Sequence, residues 1–149
     1  MITAILDTNV ILQSLLSESE SSSVRVLESY FDGEFNLVFS QETLDELIDV
    51  LSLERLRARH RLSDDGILEL VNSLLDNGRC VPVTGTVSAQ LPRDITDTKF
   101  LALAKTSGAD YLVTNDGRHL LPIGVFHGTK IVRPSEFLAV IASQKSQSK

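Results

Sequence analysis

The chain has 149 residues, of which 42% are hydrophobic and 23% charged, and its mean hydropathy is +0.07, so it can fill an apolar core and lies outside the composition of disordered chains. The single cysteine, Cys80, cannot form an internal disulfide, and His60, His119 and His127 lack the close spacing of a zinc site. Fourteen basic residues against twenty acidic ones leave a formal charge of −6, which argues against grip on nucleic acid by overall basicity and leaves only a local basic patch for that purpose.

The opening MITAILDTNV lacks a basic leader, and no apolar run nears the roughly 20 residues that cross a bilayer, so a soluble cytoplasmic protein without a membrane partner is expected. One domain over residues 1–142 is expected, followed by a flexible polar tail, SQKSQSK, at 143–149.

Ile2 to Leu6 is a short, partly β-branched apolar run that stops at an acid, Asp7, the pattern of a buried strand whose end meets solvent. The serine-rich Ser17 to Ser23 reads as a loop. Val24, Leu27, Tyr30 and Phe31 then form a helical stripe, and Phe35 to Phe39 a second strand. A helix from Gln41 to Leu53 places Leu44, Leu47, Ile48 and Leu51 on one face. Another carries Ile67, Leu70, Val71, Leu74 and Leu75 and stops at Asn77-Gly78. Cys80 to Val83 predicts a strand. A helix with Phe100, Leu101 and Ala104 ends near Ser107-Gly108, and the strand YLVT, Tyr111 to Thr114, follows directly. Lys130 to Val132 supplies the last strand, and Pro134-Ser135 opens a final helix with Phe137, Leu138 and Ile141. This alternation predicts a central parallel sheet with helices on both faces, a three-layer α/β/α sandwich.

In such a sheet, ligands bind beyond the carboxyl ends of the strands. Asp7 follows ITAIL and Asp116 follows YLVTN, so both carboxylates leave the same edge if their strands are parallel neighbours. The plainer alternative is that each acid caps the helix or turn after it. Asp97 shares a helical face with Phe100, Leu101 and Ala104, which should point inward, and a carboxylate there needs a hydrogen bond, a partner or a cation. The alternative for this acid is a capping-box-like pairing in which Asp94 is the N-cap. On the Gln41 helix, Glu42, Asp45, Glu46 and Asp49 lie between the apolar positions, and periodicity does not choose among them. With Leu44 as zero, Glu46 falls at ~200°, opposite the apolar stripe.

Several carboxylates at one sheet edge repel each other unless a cation offsets them, and all-oxygen ligation suits Mg²⁺ or Mn²⁺. Two such ions, about 4 Å apart, can activate water and cleave a phosphodiester in line. They would also bring the formal charge of −6 to −2, easing the approach of a polyanion.

Four pieces, LDTNV at Leu6 to Val10, SQETLDEL at Ser40 to Leu47, DITDTKFLALA at Asp94 to Ala104 and YLVTND at Tyr111 to Asp116, occur in an order that resembles the PIN-domain family. The likeness is specifically to the toxin ribonucleases of prokaryotic toxin–antitoxin pairs (the VapC-like group) and runs from Ile2 to about Ala139. It implies a flavodoxin-like sandwich whose acidic pocket holds one or two Mg²⁺ or Mn²⁺ ions and hydrolyses RNA. It also implies that Asp7, Glu46, Asp97 and Asp116 are the catalytic, metal-binding acids. Asn9 and Thr114 match polar pocket positions that orient ligands or water, and Asp94 is either an outer ligand or a cap. Only the resemblance selects Glu46. An antitoxin partner and a homodimer are further implications of it.

The motif does not fix the residues that would hold RNA. Arg118 and His119, just after Asp116, are the nearer candidates. Arg55, Arg57, Arg59 and Arg61 with His60 spread over more than one helical face and read as a solvated segment. A haloacid-dehalogenase-type phosphotransferase would need a second Asp where Asn9 stands, and a receiver-like phosphoacceptor would need a lysine ending a late strand, whereas Lys130 begins one. A catalytically weak PIN-like scaffold that binds RNA or protein is the remaining alternative.

Overall fold

A computed structural model of the chain describes residues 1–17, 20–92, 95 and 98–147. Its centre is β1 (Thr3–Leu6), flanked on one side by β2 (Asn36–Phe39) and on the other by β4 (Tyr111–Val113), both parallel to it. β3 (Arg79–Cys80) extends the sheet beyond β2, and β6 (Thr129–Val132) beyond β4. β5 (Val125–Phe126) closes the far edge antiparallel to β6, giving the order β3-β2-β1-β4-β6-β5.

Strand alternation divides the core into two layers, because successive side chains point to opposite faces. Ala4, Leu6, Leu37, Phe39 and Val113 face one layer. There they meet α1 (Thr8–Leu16), α2 (Ser22–Phe31), α3 (Gln41–Leu51), α5 (Asp64–Asp76) and α7 (Pro134–Gln147) through side chains such as Ile11, Tyr30, Leu47, Leu74 and Phe137. Ile5, Val38, Leu112 and Ile131 face the other, which is covered by Phe100, Leu101, Leu103 and Ala104 of α6 (Lys99–Ser107) together with Val87 and Ile95. The expected three-layer α/β/α sandwich around a central, mostly parallel sheet is the observed architecture.

Three elements were not expected from periodicity. α1 follows β1 without a break. α4 (Glu54–His60) buries none of its side chains and so has no apolar stripe to read. β5 is two residues long and exists as the partner of β6. The strand expected at Cys80 to Val83 instead pairs at Arg79–Cys80: the Val81 amide still donates to Phe39 O at 2.7 Å, after which Val81 and Val83 leave the ladder to pack on the α6 layer. α7 continues through Gln147, into the segment expected to be a flexible tail, and its Lys145 pairs with Glu34. Of the arginine segment, Arg55, Arg59 and Arg61 are exposed, whereas Arg57 and His60 are half-buried and Arg57 pairs with Asp64.

Candidate functional site at the sheet edge

The chain turns to one side of β1 for β2 and to the other for β4, so the β1/β4 boundary is a topological switch point, where α/β sheets open a crevice beyond their strand ends. Leu6 is in register with Val113, and the Asp7 amide extends the ladder by donating to Val113 O at 2.9 Å. Asp7 and Thr114 are therefore neighbours by construction, although 107 residues separate them.

Asp7 stands at the N-cap position of α1, yet its side chain makes no capping hydrogen bond. The carboxylate turns instead across the strand ends. Its Oδ2 accepts from Thr114 Oγ1 at 2.7 Å and from Asn9 Nδ2 at 3.1 Å, and the residue is only 8% exposed. Capping thus does not account for Asp7. Thr114 is completely buried, and the same hydroxyl that donates to Asp7 accepts from the Asp116 amide at 2.9 Å. Asn9 Oδ1 accepts from the Asn115 amide at 3.3 Å, so two polar side chains tie the start of α1 to the loop after β4.

Asp116 sits on that loop, half-buried, and its Oδ1 accepts from the amides of Arg118 at 3.1 Å and His119 at 3.0 Å. One of its oxygens therefore caps the following turn, as the plainer alternative anticipated. His119 Nδ1 lies 3.7 Å from the other oxygen. The Arg118 side chain lines a different hollow, among Leu91, Ile123 and Phe126.

Glu46 is reached through the residue next to Asp7. The Thr8 hydroxyl donates to Glu46 Oε2 at 2.5 Å, and Lys99 Nζ donates to Oε1 at 3.1 Å. Its side chain is 23% exposed and that of Lys99 25%, so the ion pair fixes geometry more than it stabilises the fold. Glu46 does lie away from the apolar stripe of α3. That second side is not open solvent, however, because α1 and the start of α6 cover it. Glu42, Asp45 and Asp49 are exposed.

Asp7, Asn9, Thr114 and Asp116 thus form one network, and Glu46 joins it through Thr8. Asp94 and Asp97 lie outside the described residues. Among the described residues, no three of His, Cys, Asp and Glu come together closely enough to hold an ion. The available donors are carboxylate and hydroxyl oxygens, a set whose chemistry fits a hard divalent cation. Thr8 and Lys99 were missed by sequence reasoning. Thr8 is inside the LDTNV motif and Lys99 is two residues past Asp97, so proximity to the acids was the available signal.

No curated protein matches the chain. A family model described as PIN domain matches residues 3–118, a stretch that contains both strand-end acids, Glu46 and the whole β1/β4 junction. With this nuclease-type fold and a match over most of its length, the chain belongs to the PIN domain family.

Proposed function

We propose that the protein is a metal-dependent ribonuclease that hydrolyses RNA phosphodiester bonds, acting as the toxin of a toxin–antitoxin pair. The observation that carries the reading is Asp7, a carboxylate buried at the switch point and held by Thr114 and Asn9 while its capping role goes unused. A carboxylate held in this way, across the strand ends at a switch point, is placed for a role other than capping.

Asp7, Glu46 and Asp116, with Asp97, are the residues assigned to hold one or two Mg²⁺ or Mn²⁺ ions. Such an ion, when bound, polarises a phosphate and lowers the pKa of an attacking water. Thr114 and Asn9 orient the Asp7 carboxylate, and Thr8 and Lys99 fix the direction of Glu46. Asp94 is assigned an outer position or a capping role, and Arg118 a contact to RNA on the side of the Asp116 loop that faces the hollow of Leu91, Ile123 and Phe126. An antitoxin that covers the acidic edge, and a homodimer, complete this reading.

The second reading is a catalytically weak scaffold. Lys99 on Glu46, and the two amides on Asp116, favour it, because they occupy acids that a metal site would use.

Cleavage of a labelled single-stranded RNA decides between the two. With Mn²⁺ present, the ribonuclease reading expects cleavage that EDTA abolishes and that Asp7→Asn lowers by at least about a hundredfold. Activity indifferent to both would reject it. Calorimetric titration with Mn²⁺ adds a readout independent of the RNA chosen, since a scaffold shows no site-specific uptake.

A further inference from the structure

Beside the carboxylate network lies a cavity of about 420 Å³, lined by Asn9, Gln13, Ser22, Asn115, Arg133 and Ser135 among others. It shares two walls with the site. Asn9 is the side chain that holds Asp7, and Asn115 immediately precedes Asp116. Apart from the arginine, these lining side chains are neutral hydrogen-bonding groups, amides and hydroxyls.

Arg133, between β6 and α7, is the cation of this cavity. Its Nη2 lies 3.5 Å from where a Cβ on Gly117 would sit, so the guanidinium rests over the loop that carries Asp116. Among the described residues no carboxylate pairs with that guanidinium; Glu136 Oε1 accepts from the Arg133 backbone amide at 3.1 Å, not from its side chain. The residue is exposed. With no carboxylate on it among the described residues, the guanidinium keeps its charge for an anion although Asp116 stands on the loop beneath it. Arg133 also lies beyond residues 3–118, so the family match does not assign it.

We propose that this cavity is a phosphate subsite, in which Arg133 holds a backbone phosphate flanking the bond that is cut. The inference rests on the ribonuclease reading and deepens it. A guanidinium offers paired N–H donors that match two phosphate oxygens, and the Ser22, Ser135 and Asn115 side chains add neutral donors without returning negative charge. The first turns of α2 and α7 open onto the same space and add a favourable field for an anion. The subsite also solves an electrostatic difficulty. An acidic edge repels RNA, and a cation at its rim supplies local attraction that the molecule as a whole lacks.

The test has two arms, both on the full chain. In the first, inorganic phosphate is titrated while backbone amides are followed by NMR. Shifts at Ser22, Asn115 and Ser135 that saturate in the wild type, vanish in Arg133→Ala and partly return in Arg133→Lys are expected. Absent shifts, or shifts equal in all three proteins, overturn the proposal. In the second arm, cleavage kinetics on single-stranded RNA compare Arg133→Ala with Arg79→Ala, which removes the same charge from the opposite sheet edge. Arg133→Ala is expected to raise KM about tenfold with kcat little changed, and to flatten the dependence of log affinity on log salt by about 0.7, the share of one contact to a single strand. Equal behaviour of the two variants overturns the subsite. A wild type that takes up phosphate at these amides but cleaves no RNA sinks the ribonuclease reading and leaves the anion site standing.

Discussion

Thr114 serves two neighbours with one hydroxyl, donating to Asp7 Oδ2 and accepting from the Asp116 amide, and it does so with no exposure to water. Thr114→Val keeps its shape and removes both bonds, leaving a buried carboxylate and an amide short of a partner. The variant should lose about 1–3 kcal/mol in urea unfolding in EDTA. Combined with Asp7→Asn, the loss should be smaller than the sum of the two, because the acceptor's charge is already gone. At this scale Asp7 and Asp116 were legible because each follows an apolar strand. Glu46 was legible only by family likeness: helical periodicity marks the side away from the core, and cannot tell water from a second covering element. Lys99 and Arg133 were hidden because a single cation carries no pattern along the chain.

Helix starts and stops place these residues. Ser40, buried, caps α3 through a capping box in which its hydroxyl accepts from the Thr43 amide at 3.2 Å while Thr43 Oγ1 accepts from the Ser40 amide at 3.0 Å. Ser40→Ala should cost about 1–2 kcal/mol in thermal and urea unfolding, through loss of the cap at the end of the helix that carries Glu46. Gly78, which follows α5, marks a close approach: a Cβ there would meet Leu74 O at 2.8 Å and the Phe39 ring at 3.0 Å. Gly78→Ala should therefore destabilise by about 1–3 kcal/mol, a cost that relaxation of one side chain cannot remove because the nearest atom is backbone. The Asn77-Gly78 stop was readable as a turn signal, but its reason, a carbonyl and a ring that leave no room for a β-carbon, belongs to the packing. α4 escaped notice since it buries nothing, and its His60 Nε2 lies 2.9 Å from Leu51 O while the Leu62 amide donates to Nδ1 at 3.0 Å, clasping the two ends together.

Across the whole molecule, stability should respond to ions and to alkaline pH. If the acidic edge holds Mn²⁺, free ion at a hundred times its dissociation constant adds about 2.7 kcal/mol and should raise Tm by roughly 5–10 °C over EDTA; Asp7→Asn should abolish the increment. Thermal scans at matched ionic strength check it. The alkaline response comes from Tyr30, whose hydroxyl donates to Leu74 O at 2.5 Å and whose pKa is raised above its ordinary 10.0 by burial and then by the Asp76 carboxylate. Below pH 10 the phenol is neutral in both states and its contribution is fully present. As the pH climbs past 10 towards the folded value, the unfolded chain ionises first, so stability falls. Tyr30→Phe should remove that part of the fall, as read from unfolding midpoints between neutral and alkaline pH. Among the described residues no helix is long and apolar enough to cross a membrane.

The amino-acid order by itself determined the layered α/β architecture, because apolar runs of strand length alternate with stripes of helical period and leave few other ways to bury both. It also placed an acid after each of the two strands that become β1 and β4. Only the tertiary structure decided that these strands are neighbours, that Asp7 turns from its cap towards Thr114, and that Thr8 and Lys99 meet on Glu46. It alone brought Arg133 to the loop of Asp116. The physical reason is that periodicity records how one element divides between core and exterior, whereas a site is made where several elements end together, and that meeting is fixed by strand order and crossover direction.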